Sequence, residues 1–269
     1  MNNLKFLIII LLSGMFVIYY GCESNDSLPT TGNVPPSIDS SKKVMVEFFT
    51  NAGCIPCASV HHYFDKIDSL QGITYKDSNV IVLTFHTRYP SLADSIYRSN
   101  SAQFDARTTY YGINFTPQGR MDGTDMGQFS ASDWTALLNS ELQATKYLNI
   151  NLTNNFIASN DSGVVTSNIT ILSALPVTTG NVIHVVVTEN HVEYITSPNG
   201  IQYPNDVVRT MVTGSGGQSI TINSGQTTTF TSGYKLLSNW NNNNCYINVF
   251  IQNTASKQVF GVQRIKITN

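Results

Sequence analysis

Charge is what this sequence has least of. Asp, Glu, Lys and Arg make up 12% of 269 residues, and the formal net charge is -2. So thin a balance provides no basic surface for phosphate backbones or anionic headgroups, so nucleic acid is not expected as a partner. Cysteine is scarce as well. Four are present, Cys22, Cys54, Cys57 and Cys245, too few and too unevenly spaced for a disulfide-stapled scaffold. Beyond residue 20 no apolar run approaches the roughly 20 residues that a membrane-spanning helix needs. What remains is a hydrophobic fraction of 41%, enough for a packed core.

The one long apolar run lies at the start. Lys5 precedes Phe6 to Tyr20, and a polar segment follows at once, the pattern of an export signal rather than of a spanning helix. The run ends in Tyr20-Gly21-Cys22-Glu23, which resembles the lipobox of bacterial lipoproteins, with Tyr19 where leucine is usual. The resemblance implies cleavage before Cys22, lipidation of that cysteine and a membrane anchor. An ordinary signal peptide, or an uncleaved anchor, is the alternative. Residues 22–41 carry Pro29, Gly32, Pro35 and Pro36 and read as a flexible tether.

The sharpest chemical signal is Val44 to Cys57, VMVEFFTNAGCIPC. A short apolar strand runs into a turn, then into two cysteines spaced C-x-x-C at the start of a helix expected over Ala58 to Leu70. A helix N-terminus stabilises an anion, so the spacing points to a reactive thiolate at Cys54 and a resolving thiol at Cys57. A second apolar strand is expected over Asn79 to Thr87, of the kind buried on both faces. A helix follows over Ser101 to Tyr111, ended by Gly112, then a short strand and turn around Thr116 to Gly123. A last helix is expected within Ser130 to Lys146, with Ser132 as its N-cap and Trp134, Leu138 and Leu142 on one face.

This order resembles the thioredoxin fold over residues 42–146. The resemblance rests on Cys54-Ile55-Pro56-Cys57 after a strand, on Glu47 within that strand, and on the Thr116-Pro117 segment of YYGINFTPQGRMDG. It implies a cis proline packed near the dithiol and a Thr116-Pro117 backbone edge for an incoming chain. It also implies that Glu47, if buried beneath Cys57, accepts its proton. Two departures stand out: Gly53 replaces the usual aromatic residue, and Glu47 is one residue further from the first cysteine than in thioredoxin. Cys57 and His61 share a helix face, so a soft metal held by Cys54, Cys57 and His61 is an alternative. With no nameable cofactor or metal motif beyond that, none is expected. His61 and His62 otherwise read as helix-surface or packing residues, and His86 lies near the same cleft.

From about residue 147 the texture changes to short alternating strands separated by Gly, Asn, Ser and Pro, without helical periodicity. Over 147–269 this reads as an antiparallel β-sandwich of immunoglobulin-like type, with Cys245 a buried inert thiol. Signal, α/β unit and β-sandwich together resemble the Omp28-related outer-membrane lipoproteins of Bacteroidota-type bacteria. That resemblance implies an envelope location, lipid-anchored through Cys22. Two functions fit. One is a tethered thiol-disulfide oxidoreductase whose clients are cysteine-containing envelope proteins. The other is a non-enzymatic surface binding lipoprotein in which the thioredoxin-like unit is scaffold.

Overall fold

The computed structural model describes residues 42–67 and 79–268. The signal segment, Cys22, the tether and the far end of the first expected helix lie outside the described residues. Helix α1 runs Cys57–Asp65, α2 Ser95–Ser99, α3 Ser101–Tyr111 and α4 Ala131–Leu142. Strands β1 (Val44–Thr50), β2 (Val80–His86), β3 (Gln118–Met121) and β4 (Thr124–Asp125) accompany them. The second half supplies β5 (Leu148–Ile157), β6 (Ser162–Ile171), β7 (Asn181–Glu189), β8 (Val207–Met211), β9 (Gln218–Ser219), β10 (Thr227–Lys235), β11 (Cys245–Asn253) and β12 (Val259–Lys266).

The architecture is mixed α/β with two sheets. A nine-stranded sheet runs in the order β12-β11-β7-β8-β2-β1-β3-β4, with β9 on β7, and a three-stranded sheet runs β10-β6-β5. The strands of residues 147–269 are therefore divided between the two sheets. Five of them (β7, β8, β9, β11 and β12) continue the sheet that β1 and β2 begin. The join is a parallel pairing of β8 with β2 at Thr84 and Val207, reinforced where Thr84 N–H donates to Asp206 O at 2.8 Å.

Strand alternation explains how the faces are used. On β1, Val44, Val46 and Phe48 point into a core with Cys54, Cys57, Val60, Phe64 and Trp134, while Met45 and Phe49 point to the other face, with Phe104 and Tyr111 of α3. On β7 and β11 the odd residues Ile183, Val185, Val187, Ile247, Val249 and Ile251 pack against Leu148, Ile150, Val165 and Ile169 of the small sheet. Their even neighbours Val186 and Phe250 pack into the α3 core. Both strands are thus covered on both faces, and every residue of β7 is buried. The small sheet is covered on one face only, which gives β5 its alternating burial.

Helix ends follow their local chemistry. Gly112 closes α3 in the left-handed conformation at φ 70°, which costs glycine nothing. The cap of α4 is Ser130 and not Ser132: the Ser130 side chain accepts from the Asp133 N–H three residues on, the bond that a serine at the cap position makes. Helix α2, which the sequence did not reveal, is capped by Asp94, whose carboxylate accepts from Ile96 and Tyr97 N–H.

Candidate functional site

The site is the loop from β1 into α1. Cys54 and Cys57 are joined in a disulfide, with Cys57 fully buried and Cys54 3% exposed. Beyond them the rim is apolar and open, since Ile55 is 63% exposed and Phe115 is 61% exposed. A cavity of about 360 Å³ opens there, bounded by Cys54, Ile55, Tyr89, Pro90, Phe115 and Thr116.

Two cis peptide bonds shape this cavity, Thr116-Pro117 and Tyr89-Pro90. The first carries the bond that the thioredoxin resemblance implies. The second was not foreseen. The loops are tied together where Thr116 Oγ1 donates to Tyr89 O at 3.0 Å. The second loop also accounts for Gly53: a Cβ there would come within 3.2 Å of Ser91 Cβ and 3.1 Å of Asn51 Oδ1. Any side chain at this position would need both neighbours to give way by a few tenths of an ångström.

A set of buried polar groups fixes the approach to Cys54. Asn51 is fully buried; its Nδ2 donates to Thr87 O at 2.5 Å and Ser91 O at 2.9 Å, and its Oδ1 accepts from Gly53 N–H at 2.7 Å. Asp94 Oδ2 accepts from Ala52 N–H at 2.7 Å and lies 2.7 Å from His86 Nδ1. Burial alone would raise the Asp94 carboxyl; His86 and the Ala52 and Tyr97 amides outweigh it and hold it below its usual range. His86 therefore reaches the site through Asp94 rather than directly.

Glu47 does not sit beneath Cys57, which corrects the role expected for it. It projects from the opposite face of β1, where Arg107 clasps it through Nε to Oε1 at 2.6 Å and Nη2 to Oε2 at 2.8 Å, and Tyr111 donates to Oε2 at 2.5 Å. The cause is parity. In a strand a shift of one residue turns a side chain to the other face, so the longer spacing to Cys54 puts Phe48 where the acid was expected. His61 lies on the dithiol side, buried beside Phe48 at 5.0 Å between rings and 3.3 Å from Thr50 Oγ1. Among the described residues no group of three or more His, Cys, Asp or Glu is arranged to hold a metal ion.

A segment from the second half completes the site. The chain between β7 and β8 crosses to the dithiol, where Asn199 N–H donates to Ala52 O at 2.9 Å. Asn199 Nδ2 reaches Asn51 O at 3.3 Å and Cys54 O at 3.4 Å. Asn205 Nδ2 donates to Asp65 Oδ1 of α1 at 3.0 Å, and Ser95 N–H of α2 donates to Tyr194 at 3.3 Å. No sequence motif announces this arm, because it is built from ordinary polar residues 145 positions away from the cysteine they touch.

No curated protein matches the chain by sequence. Among solved structures, HBP35 of Porphyromonas gingivalis superposes with a TM-score of 0.71 at 15% identity, over 84% of this chain and 76% of that one. At that identity the likeness is one of fold. A domain of the outer membrane lipoprotein Omp28 from Porphyromonas gingivalis aligns at a TM-score of 0.32 and 18% identity, over 46% of this chain and 90% of that one. No helix among the described residues is long and apolar enough to cross a membrane. The family described as outer membrane protein Omp28 matches residues 104–269. With most of its length so matched, the chain belongs to the Omp28 family of outer-membrane proteins of the bacterial cell envelope.

Proposed function

We propose that this protein is a membrane-tethered thiol-disulfide oxidoreductase of the envelope, its lipid anchor on Cys22, with cysteine-containing envelope proteins as clients. In this reading residues 42–146 act as a thioredoxin-like unit and residues 147–269 as an immunoglobulin-like β-sandwich that supports it. The observation that carries it is the Cys54–Cys57 disulfide at the start of a helix, beside a cavity walled by Thr116 and the Tyr89-Pro90 loop.

The exchange balances without a cofactor. A client thiolate attacks Cys54 Sγ, the Cys54–Cys57 bond breaks, and Cys57 leaves as a thiolate that takes up a proton. A second client thiolate then attacks the client sulfur of the mixed disulfide and releases Cys54. Two electrons pass from the client dithiol to the pair; reduction of a client disulfide is the same sequence reversed. Glu47 takes no part. Thr116-Pro117 supplies the wall and backbone edge against which a client segment is laid.

The test is trapping in the full-length protein. Cys57→Ser is expected to accumulate mixed disulfides through Cys54 in intact envelopes, and Cys54→Ser is expected to accumulate none. Equal amounts from both variants, or none from either, would sink the reading. The near-complete burial of Cys54 favours a second reading, a binding lipoprotein with a structural disulfide. In that case neither variant traps clients and both lose thermal stability.

A further inference from the structure

The arm between β7 and β8 does more than cover the loop. The side chain of its Asn199 meets the backbone of the reactive cysteine. Its rotamer is set from within the arm: Asn199 Oδ1 accepts from Ser197 Oγ at 2.8 Å and from Ile201 N–H at 3.1 Å. With the oxygen so occupied, the amide nitrogen is turned toward Asn51 O and Cys54 O. Those two carbonyls are hinge points of the site, because Cys54 N–H donates to Asn51 O at 2.9 Å and Cys57 N–H donates to Cys54 O at 3.2 Å. The Asn199 backbone adds the bond to Ala52 O, so three carbonyls of the approach, at residues 51, 52 and 54, are held by one residue.

We infer that Asn199 is a positioning residue for Cys54, holding the peptide planes of residues 51–54 so that the reduced thiolate stays over the N-terminus of α1. The inference deepens, and rests on, the redox reading of this pair. The physics is local. The amide is a fixed dipole whose positive end faces the Asn51 and Cys54 carbonyls, and it offsets their negative ends where the thiolate charge develops. Removing it favours the thiol over the thiolate. Because the thiolate is the reduced form that the site stabilises, the same change moves the equilibrium with glutathione toward the Cys54–Cys57 disulfide.

The experiment measures the pH dependence of Cys54 alkylation by iodoacetamide in dithiothreitol-reduced protein, on a Cys57→Ser background, together with the glutathione equilibrium of proteins retaining Cys57. Asn199→Leu keeps the size and removes the donor; Asn199→Asp also adds a negative charge. Alkylation at pH 6.5 is expected to slow about threefold to tenfold in the first and further in the second. The glutathione equilibrium is expected to shift in the same order. Folded variants with rates and equilibria equal to those of the parent proteins overturn the inference, as does a loss of melting temperature with unmoved alkylation profiles. Should Asn199→Leu fail to fold, Ser197→Ala loosens the same amide without touching the loop. It is expected to slow alkylation about twofold, and no change there overturns the proposal. A Cys54 profile that follows the predicted order in a protein that turns over no client upholds the inference and sinks the oxidoreductase reading instead.

Discussion

Glu47 and Arg107, sixty residues apart in sequence, form a two-pronged ion pair with no more than 1% of either side chain exposed. Around it Tyr111 donates to Glu47, Arg107 donates to Gln252 Oε1 at 2.9 Å, and Gln252 Nε2 donates to Tyr111 at 2.8 Å. Each member has a partner, and together they link β1, α3 and β11. Burial pushes the Tyr111 hydroxyl up, and the Glu47 charge beside it pushes it further, so it stays a donor at any physiological pH.

Removing one partner strands the other in a fully buried site. Glu47→Gln or Arg107→Met is expected to cost about 3–5 kcal/mol, read as a fall in Tm of roughly 2–4 °C for each kcal/mol in a chain of this size. Glu47→Leu with Arg107→Met is expected to recover part of that loss, because no charge is left unpaired. Alkylation of Cys54 should be unchanged throughout, since the pair lies across the sheet from it.

Stability is expected to fall as pH rises through the range that Asp122 titrates. Asp122 is buried at the β3–β4 turn, accepting from Met45 N–H at 2.9 Å and 3.0 Å from Lys42 Nζ. Burial lifts its carboxyl to about 6, and Lys42 only partly offsets this. An acid whose folded value lies above its unfolded one, near 3.9, adds stability that is complete below the unfolded value. That stability is lost as pH climbs through the folded value. The loss is about 2–3 kcal/mol between pH 4 and pH 7.5. Urea unfolding across that window should show the decline in wild type and a flatter profile in Asp122→Asn. Asp94 acts in the opposite sense, its contribution fading only as pH falls below the usual carboxylate range.

Gly123 is the tightest backbone contact of the turn. Its φ is +89°, and a Cβ would stand 1.9 Å from Lys257 O. Gly123→Ala is expected to cost about 1–3 kcal/mol for the backbone conformation alone, with more from displacing residues 257–258. The midpoint of urea unfolding should drop with its slope unchanged.

Phe115 tests the client wall. It is mostly exposed beside the cavity, so Phe115→Ala should move stability by less than about 0.5 kcal/mol. If a client covers it, the loss of roughly 1.5–3 kcal/mol of apolar burial lowers kcat/KM for insulin reduction about tenfold or more. Unchanged turnover would remove Phe115 from the client surface.

Much of the first half was legible because local signals agree with one another. The five apolar residues among the seven of β1, the Gly112 stop and the C-x-x-C before a helix each carry their own cause. What the sequence hid depends on parity or on distance. One extra residue before Cys54 turned Glu47 to the far face, a difference visible in the spacing only to a reader who counts it against the strand period. Arg107 is an unremarked residue on a polar-looking helix until its partner is known. Asn199 and the Tyr89-Pro90 loop come to the dithiol through tertiary contacts that no local pattern encodes. The strands after residue 147 were readable as strands, but their division between two sheets was not. Val182 to Thr188 is apolar nearly throughout, and only the structure shows that this run serves two cores.

That double coverage has a consequence for how the protein can be handled. Helix α3 lies over β1 and β2 on one side and over Val186, Val208 and Phe250 on the other, so it has two owners. A fragment ending at residue 146 would keep the helix and lose half of its bed; the complementary fragment would present bare Val186 and Phe250 to solvent. The dithiol is therefore not a cassette. It cannot be lifted out, shuffled onto another carrier or assayed in isolation without remaking the surface that the second half provides.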